Sequence, residues 1–291
     1  MASAWATESS KRSMLPTPSA RNSMKKKILI TAPEGYARRF RDALLTMSGP
    51  TGPSFSPVSA PLIKTELDTA AEAHKSLPTI GDDDIVVFTS RKAIEATALW
   101  RQRQGLVLPP AATYVAIGKD ASWMSALLSL PQGLSGCEPS LMGIVKALGE
   151  RPDADKKRVW VLGPRVVGMR EPPTVPDFLT ALGNRVGEVC YVPAYTTRPA
   201  DSATRQTVYT LIRQGVDCVA LTSGGEAQVL RKVVETSPEG MALISSTPIA
   251  CFGPYTAKCA KSEGLPVDII SDRYHSFTEF AAYLKDHLSW V

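Results

Sequence analysis

Three kinds of residue in this chain could do chemistry without a cofactor. Tyr195 lies in the segment VPAYTTRP. A phenol with an ordinary pKa of about 10 keeps its proton at neutral pH and can donate it, or a hydrogen bond. The same side chain could equally be a hinge tyrosine that packs and holds a backbone group. Thr89-Ser90 and Thr222-Ser223 each close an apolar run, and Gly253-Pro254-Tyr255-Thr256 closes another. These are expected strand-to-helix turns, where free N–H groups and the helix dipole favour anions. Ser and Thr cap helices in any α/β protein, so one such turn is weak evidence. Several facing one cleft could hold a polycarboxylate with few arginines. Arg165, after Leu162-Gly163-Pro164, could contact a carboxylate or be a solvated loop residue. Lys258 reads as a helix-surface charge. Asp82-Asp83-Asp84 reads as a solvated turn before a strand, with metal binding the weaker alternative.

Other chemistry lacks its apparatus. There is no G-x-G-x-x-G, Walker loop, H-E-x-x-H or nucleophile elbow, so nothing in the motifs calls for NAD, ATP or zinc. The three histidines are far apart, and a metal site is not expected. The five cysteines form no C-x-x-C pair; Cys190, Cys218 and Cys251 sit in strand-like runs and read as buried thiols. No window of about 18 apolar residues suggests a membrane span. The net charge of +5 resides in the Lys/Arg-rich stretch 1–27, which has one acidic residue, Glu8. The remainder is near neutral, so nucleic acid is not an expected partner. Residues 1–26 read as a disordered arm or a transit-peptide remnant.

The elements that must position these residues recur. KILITAPEGYARRF (27–40) parallels the stretch from Arg158, IVVFTSRKAIEATAL (85–99) parallels CVALTSGGEAQVLRKVV (218–234), and YVAIGKDASWMSALL (114–128) parallels IACFGPYTAKCAKSEG (249–264). CEPSLMGIVKALG (137–149) parallels the end of the chain. Continuous apolar runs such as Ile85–Phe88 suit parallel strands covered on both faces. Helical stripes follow, such as Ala37, Phe40, Leu44 and Met47, closed by Gly49. The expected fold is α/β, with two doubly wound parallel-sheet domains joined by two extended linkers and a cleft between them. Domain 1 is discontinuous, 27–57 plus 199–291; domain 2 is 66–190; the linkers are 58–65 and 191–198.

The segments FTS (88–90), LTSG (221–224), VPAYTT (192–197) and IACFGPYTAKCAKSEGLPVDII (249–270), in this order, resemble the uroporphyrinogen-III synthase family over 27–288. The resemblance implies two α/β domains on two linkers. It implies a lyase that cyclises linear hydroxymethylbilane with inversion of ring D, without cofactor or metal. Tyr195 then corresponds to the family tyrosine that assists departure of the terminal hydroxyl. Thr256 corresponds to the threonine of its Gly-Pro-x-Thr turn. Thr89, Ser90, Thr222, Ser223 and Gly253 would bind substrate carboxylates, and Arg165 could add another contact. Where the family commonly has Thr-Arg-Pro after its first strand, this chain has Thr31-Ala32-Pro33, and Lys119 could replace the lost charge. After Gly118 the family often has a threonine where this chain has Ala121; Ser122 could substitute. The resemblance also implies a monomer, a tetrapyrrole as ligand, transient contact with the preceding bilane-forming enzyme and, with the transit-like arm, a plastid location, with mitochondria or cytosol open. The alternative is a non-catalytic bilobal binder of tetrapyrroles or other anions.

Overall fold

The computed structural model describes residues 25–48, 54–67, 78–131, 133–136 and 138–288. Most of the basic arm, Gly49 and Cys137 lie outside them. Lys26, expected in the arm, already pairs with Phe55.

Five strands and their helices form a first lobe from both ends of the chain. It opens with β1 (Lys26–Ile30), α1 (Glu34–Met47) and β2 (Phe55–Ser59). The chain then leaves for the second lobe, made of β3 (Ile63–Leu67), β4 (Ile85–Phe88), α2 (Arg91–Gln104), β5 (Thr113–Ala116), α3 (Asp120–Leu128), α4 (Leu141–Gly149), β6 (Arg158–Val166), α5 (Thr174–Gly183) and β7 (Glu188–Pro199). It returns through α6 (Ser202–Arg213), β8 (Cys218–Leu221), α7 (Gly224–Val234) and α8 (Pro238–Ser245). It finishes with β9 (Ile249–Cys251), α9 (Pro254–Ser262), β10 (Ile269–Ile270) and α10 (Phe277–His287).

The first sheet has the order β10-β9-β8-β1-β2 and is parallel throughout. The second has the order β3-β7-β6-β4-β5. It is parallel except for β3, which runs antiparallel to β7. That exception follows from the route: β3 enters the lobe and β7 leaves it, so the two run in opposite directions side by side. The segments 58–65 and 191–198 are therefore largely strand. Mapping each segment onto its repeat turns β9-β8-β1-β2 into β5-β4-β6-β7, so both sheets share one order.

Neighbouring residues of each run are buried on opposite faces, as a doubly covered parallel strand requires. Ile28 and Ile30 pack with Phe40 and Phe280, while Leu29 packs with Val219 and Leu230 on the other side. In the second lobe Val86 and Phe88 join Trp100, while Ile85 and Val87 join Phe178. Burying one such side chain stabilises by about 1.5–3 kcal/mol, so each sheet is anchored from both faces. Helix ends are set locally. Ser90 and Ser223 cap α2 and α7, accepting from the N–H three residues on. Gly105, at φ 69, ends α2 in the left-handed region.

Two expectations need correction. Cys190 is only partly buried, and its thiol meets the Glu188 carboxylate at 3.4 Å; β7 presents this part of its face to solvent. Asp84 is not a solvated turn residue. It is buried and accepts from Arg158 Nη2 at 2.7 Å, Trp160 Nε1 at 2.9 Å and Gly81 N–H at 2.8 Å. Burial raises its pKa, but these hydrogen bonds outweigh that and hold it below the ordinary aspartate value.

Candidate active site

In a doubly wound sheet the ligand position is beyond the carboxyl ends of the strands, where successive crossovers diverge. Here that point lies between β1 and β8 in the first lobe and between β4 and β6 in the second. The residues at these points are Thr31, Thr222 and Thr89, just beyond their strands, and Gly163 within β6. Both points open on one cleft of about 430 Å³, whose wall includes Tyr36, Thr222, Ser223, Gly253 and Thr256 from the first lobe and Thr89, Ser90 and Tyr195 from the second.

Tyr195 reaches this cleft because of a bulge. Along β6 and β7, Gly163 pairs with Pro193 but Pro164 pairs with Tyr195, leaving Ala194 as an extra residue. The shift re-aims everything after it: Pro164, Val166, Tyr195 and Thr197 line the cleft, and the intervening Arg165 and Thr196 do not. Gly163 is required at the bend. A Cβ there would lie 2.7 Å from Tyr191 Oη, which itself donates to Pro164 O at 2.5 Å.

The Tyr195 phenol is 6% exposed. Ser90 Oγ donates to its oxygen at 2.9 Å. Burial pushes the Tyr195 pKa up to about 12, with hydrogen bonding to Ser90 and Thr89 acting the other way. Thr89 Oγ1 also donates to Leu162 O at 3.0 Å, tying the β4 turn to β6.

At the start of α9, Gly253 supplies no side-chain cap. Among the described residues nothing accepts from the N–H groups of Tyr255 and Thr256, and the Thr256 hydroxyl, on the cleft wall, has no hydrogen-bond partner. This turn is free to receive an anion.

The Thr222-Ser223 turn is different, because Glu226 already fills it. This carboxyl is fully buried. Thr222 Oγ1 donates to it at 2.6 Å, Ser223 Oγ at 2.9 Å, Thr222 N–H at 3.0 Å and Thr31 Oγ1 at 2.7 Å. Burial raises its pKa, and the donors from Thr222, Thr31 and Ser223 oppose that. The hydroxyls expected to bind substrate are therefore engaged by the protein's own acid. Only the backbone N–H groups of Ser223, Gly224 and Gly225 remain without an acceptor among the described residues. The signal was present in the sequence: Ser223-Gly-Gly-Glu226 is a capping-box pattern.

Two expected contacts are not brought to the cleft wall. Lys119 precedes α3 and is exposed. Arg165 is exposed on the opposite face of β6 and bonds Thr196 Oγ1 at 3.1 Å. Sequence reasoning missed Tyr36, a cleft residue from α1. The wall also holds Glu171 and Asp177, so the cleft as a whole is not a basic groove. Among the described residues no group of three or more His, Cys, Asp or Glu side chains could hold a metal ion, and no helix is long and apolar enough to cross a membrane.

Residues 52–278 match the family model for uroporphyrinogen-III synthase HemD. No curated protein matches the chain. Among solved structures, a mutant uroporphyrinogen III synthase from the extremely thermophilic bacterium Thermus thermophilus is similar at 15% identity and TM-score 0.52, covering 90% of this chain and all of its own. The Helicobacter pylori uroporphyrinogen-III synthetase matches at 13% identity and TM-score 0.45, covering 90% of this chain and 100% of its own. The solved relative from T. thermophilus thus shares the fold, and the family match spans most of the chain and both lobes of the cleft. The chain belongs to the uroporphyrinogen-III synthase family.

Proposed function

We propose that this chain is a lyase that cyclises hydroxymethylbilane to uroporphyrinogen III, inverting ring D and releasing water. The observation that carries the reading is the Tyr195 phenol, held by Ser90 in a cleft between two lobes. The difficult step is departure of the terminal hydroxyl. Left as hydroxide, it would be the conjugate base of water, whose pKa is about 15.7. A phenol raised to about 12 remains the stronger acid, so proton transfer from Tyr195 to the departing oxygen is downhill.

The C–O bond breaks with its electron pair going to oxygen, and water leaves. The bilane is left as an azafulvene cation. The substituted α-carbon of ring D attacks it, giving a spiro-pyrrolenine; fragmentation and reclosure invert the ring. The proton lost when the macrocycle regains its pyrroles returns to the Tyr195 phenolate, so the balance is one water lost. The free turn at Gly253–Thr256 and the first N–H groups of α2, just beyond Thr89-Ser90, suit substrate carboxylates, and the two walls hold the flexible chain so that simple closure is disfavoured. The acid-poor basic stretch 1–27 fits a plastid destination, and the product fits a place in haem or chlorophyll synthesis.

The test is to supply freshly made hydroxymethylbilane, oxidise the products and separate the isomers. Predominant type III above the spontaneous type I background supports the reading. Type I alone from folded protein overturns it and favours a bilobal tetrapyrrole binder.

A further inference from the structure

Two places where the repeat breaks down meet at the cleft wall. In the first lobe β1 and α1 are joined by residues 31–33; in the second, β6 and α5 are joined by the longer stretch 167–173. The turn at Thr89-Ser90 continues with Arg91-Lys92, whereas its counterpart at Thr222-Ser223 continues with Gly224-Gly225. The long connection of the second lobe lies on this glycine pair of the first. A Cβ on Gly225 would be 3.1 Å from Met169 Cε, and one on Gly224 would be 3.3 Å from Pro172 Cβ. Side chains as long as those of Arg91 and Lys92 could not stand there, so the glycines permit the approach. Met169 packs against the apolar cluster that holds Leu221, Ala227 and Leu230 of the first lobe. Arg170, next in the chain, forms an ion pair with Glu263, just after α9.

The connection is built to be stiff. Val167 N–H donates to Thr197 O at 2.9 Å, which carries the β6–β7 ladder into its first residue. Gly168, at φ 75, then turns the chain in the left-handed region that favours glycine. Pro172 and Pro173 fix φ at the other end, directly before α5. Two lobes joined by two chain crossings swing about them by default unless a further contact resists. Residues 167–173 supply such a contact without a covalent bond. An exposed ion pair contributes little, and Arg170 is largely exposed. The seating of Met169 and Pro172 on the glycines therefore carries most of the contact.

We propose that residues 167–173 form a strut between the lobes, in which Met169 and Pro172 are positioning residues that set the width of the cleft. Through the strut, the Tyr195 wall of the second lobe and the Gly253–Thr256 turn of the first keep a fixed separation. That this separation serves turnover rests on the proposed function; the strut itself does not.

The experiment needs no ligand at first. Pro172 Cβ and Cys259 Sγ lie 3.3 and 2.7 Å from the Cβ position of Gly224, so Pro172→Cys brings a thiol within reach of the native Cys259 on α9. The full-length variant is oxidised with diamide, linkage between 172 and 259 is read by peptide mass, and the same variant with Cys259→Ser is the control. Small-angle X-ray scattering then compares wild type, Met169→Ala/Arg170→Glu, and that double variant carrying oxidised Pro172→Cys. The expected result is near-complete linkage, a radius of gyration raised by about 1 Å or more in the double variant, and its return to the wild-type value once linked. Type III formation should fall about tenfold in the double variant and recover in the linked protein. A direct contact of Met169 with the ligand would not be recovered by the link, so a loss that persists overturns the positioning role. No linkage in folded Pro172→Cys, or an unchanged radius in the double variant, overturns the strut. If Pro172→Cys does not fold, the radius of the double variant decides. The isomer made by wild type is scored independently: type I alone sinks the enzyme reading, and the strut is then judged on linkage and radius.

Discussion

At the scale of single residues, the chemistry turns on how burial is offset. Tyr195 is pushed up to about 12 by burial, so its proton stays in place across the working range. Turnover should therefore show no alkaline limb near pH 10, where an ordinary phenol would ionise. A kcat/KM profile that fell by half at pH 10 with the protein still folded would show the assignment of the acid to be wrong. Glu226 makes a second case. Its pKa is raised mainly by burial, so the folded state holds this proton more tightly than the unfolded chain does. Its favourable contribution is complete below the unfolded value of about 4.3 and is lost as pH rises towards the folded value. Glu226→Gln, which never pays for ionisation, should gain stability relative to wild type as pH rises from 4 to 8, while Glu226→Ala should lose about 2 kcal/mol at pH 7 through orphaned donors. Denaturant midpoints against pH check both; a Gln-to-wild-type difference that does not vary with pH contradicts the sign. Thr89, Ser90, Gly253 and Thr256 were legible in the sequence as cleft residues because each sits at or beside the end of an apolar run, and Tyr195 because its segment reads as a linker bordering the cleft. Glu226 was legible in principle through its capping spacing. The side on which Arg165 lies was not legible, because it depends on strand register, which composition does not carry.

At the scale of elements, the β6–β7 pair does the positioning. The bulge at Ala194 puts Tyr195 opposite Pro164 and therefore on the cleft face. Gly163→Ala places a methyl against Tyr191 Oη, 2.7 Å away. It should cost about 2 kcal/mol of stability and slow turnover by about tenfold or more as Tyr195 is displaced. Thermal unfolding and steady-state rates check this, and a variant matching wild type in both would remove the bulge from the account. Asp84 stabilises the start of β4 and β6 together. Because its folded pKa is depressed, its contribution is present above the unfolded value of about 3.9 and is lost as pH falls through the folded value. Asp84→Asn should be about 2 kcal/mol less stable at pH 7, and the gap should close below about pH 3.9. A gap constant with pH would contradict the ionic role. The strands themselves were readable from continuous β-branched runs, and the helices from their stripes and caps. The antiparallel β3–β7 edge was not, because the two segments lie far apart in the chain and each reads alone as a proline-bearing connection.

At the scale of the whole molecule, the cleft is a consequence of chain route. A repeat whose first half-sheet belongs to one lobe and whose second belongs to the other must cross between lobes twice. The two crossings lie side by side and bring both sets of strand ends to one opening. The repeat was visible in the sequence at low identity because sheets tolerate substitution that keeps the apolar pattern. The distinction between the two halves was less visible: the Thr89-Ser90 turn has Ala93 where the Thr222-Ser223 turn has Glu226. At the corresponding turns, one wall thus offers the Tyr195 phenol and Ser90, and the other an internally satisfied acid. The most direct measurement of this account is the initial rate and isomer composition of wild type and Tyr195→Phe on fresh hydroxymethylbilane, with circular dichroism confirming that both are folded. The account predicts type III product from wild type and a loss of at least about 100-fold in type III formation by the variant. Equal type III formation by the two proteins would contradict it.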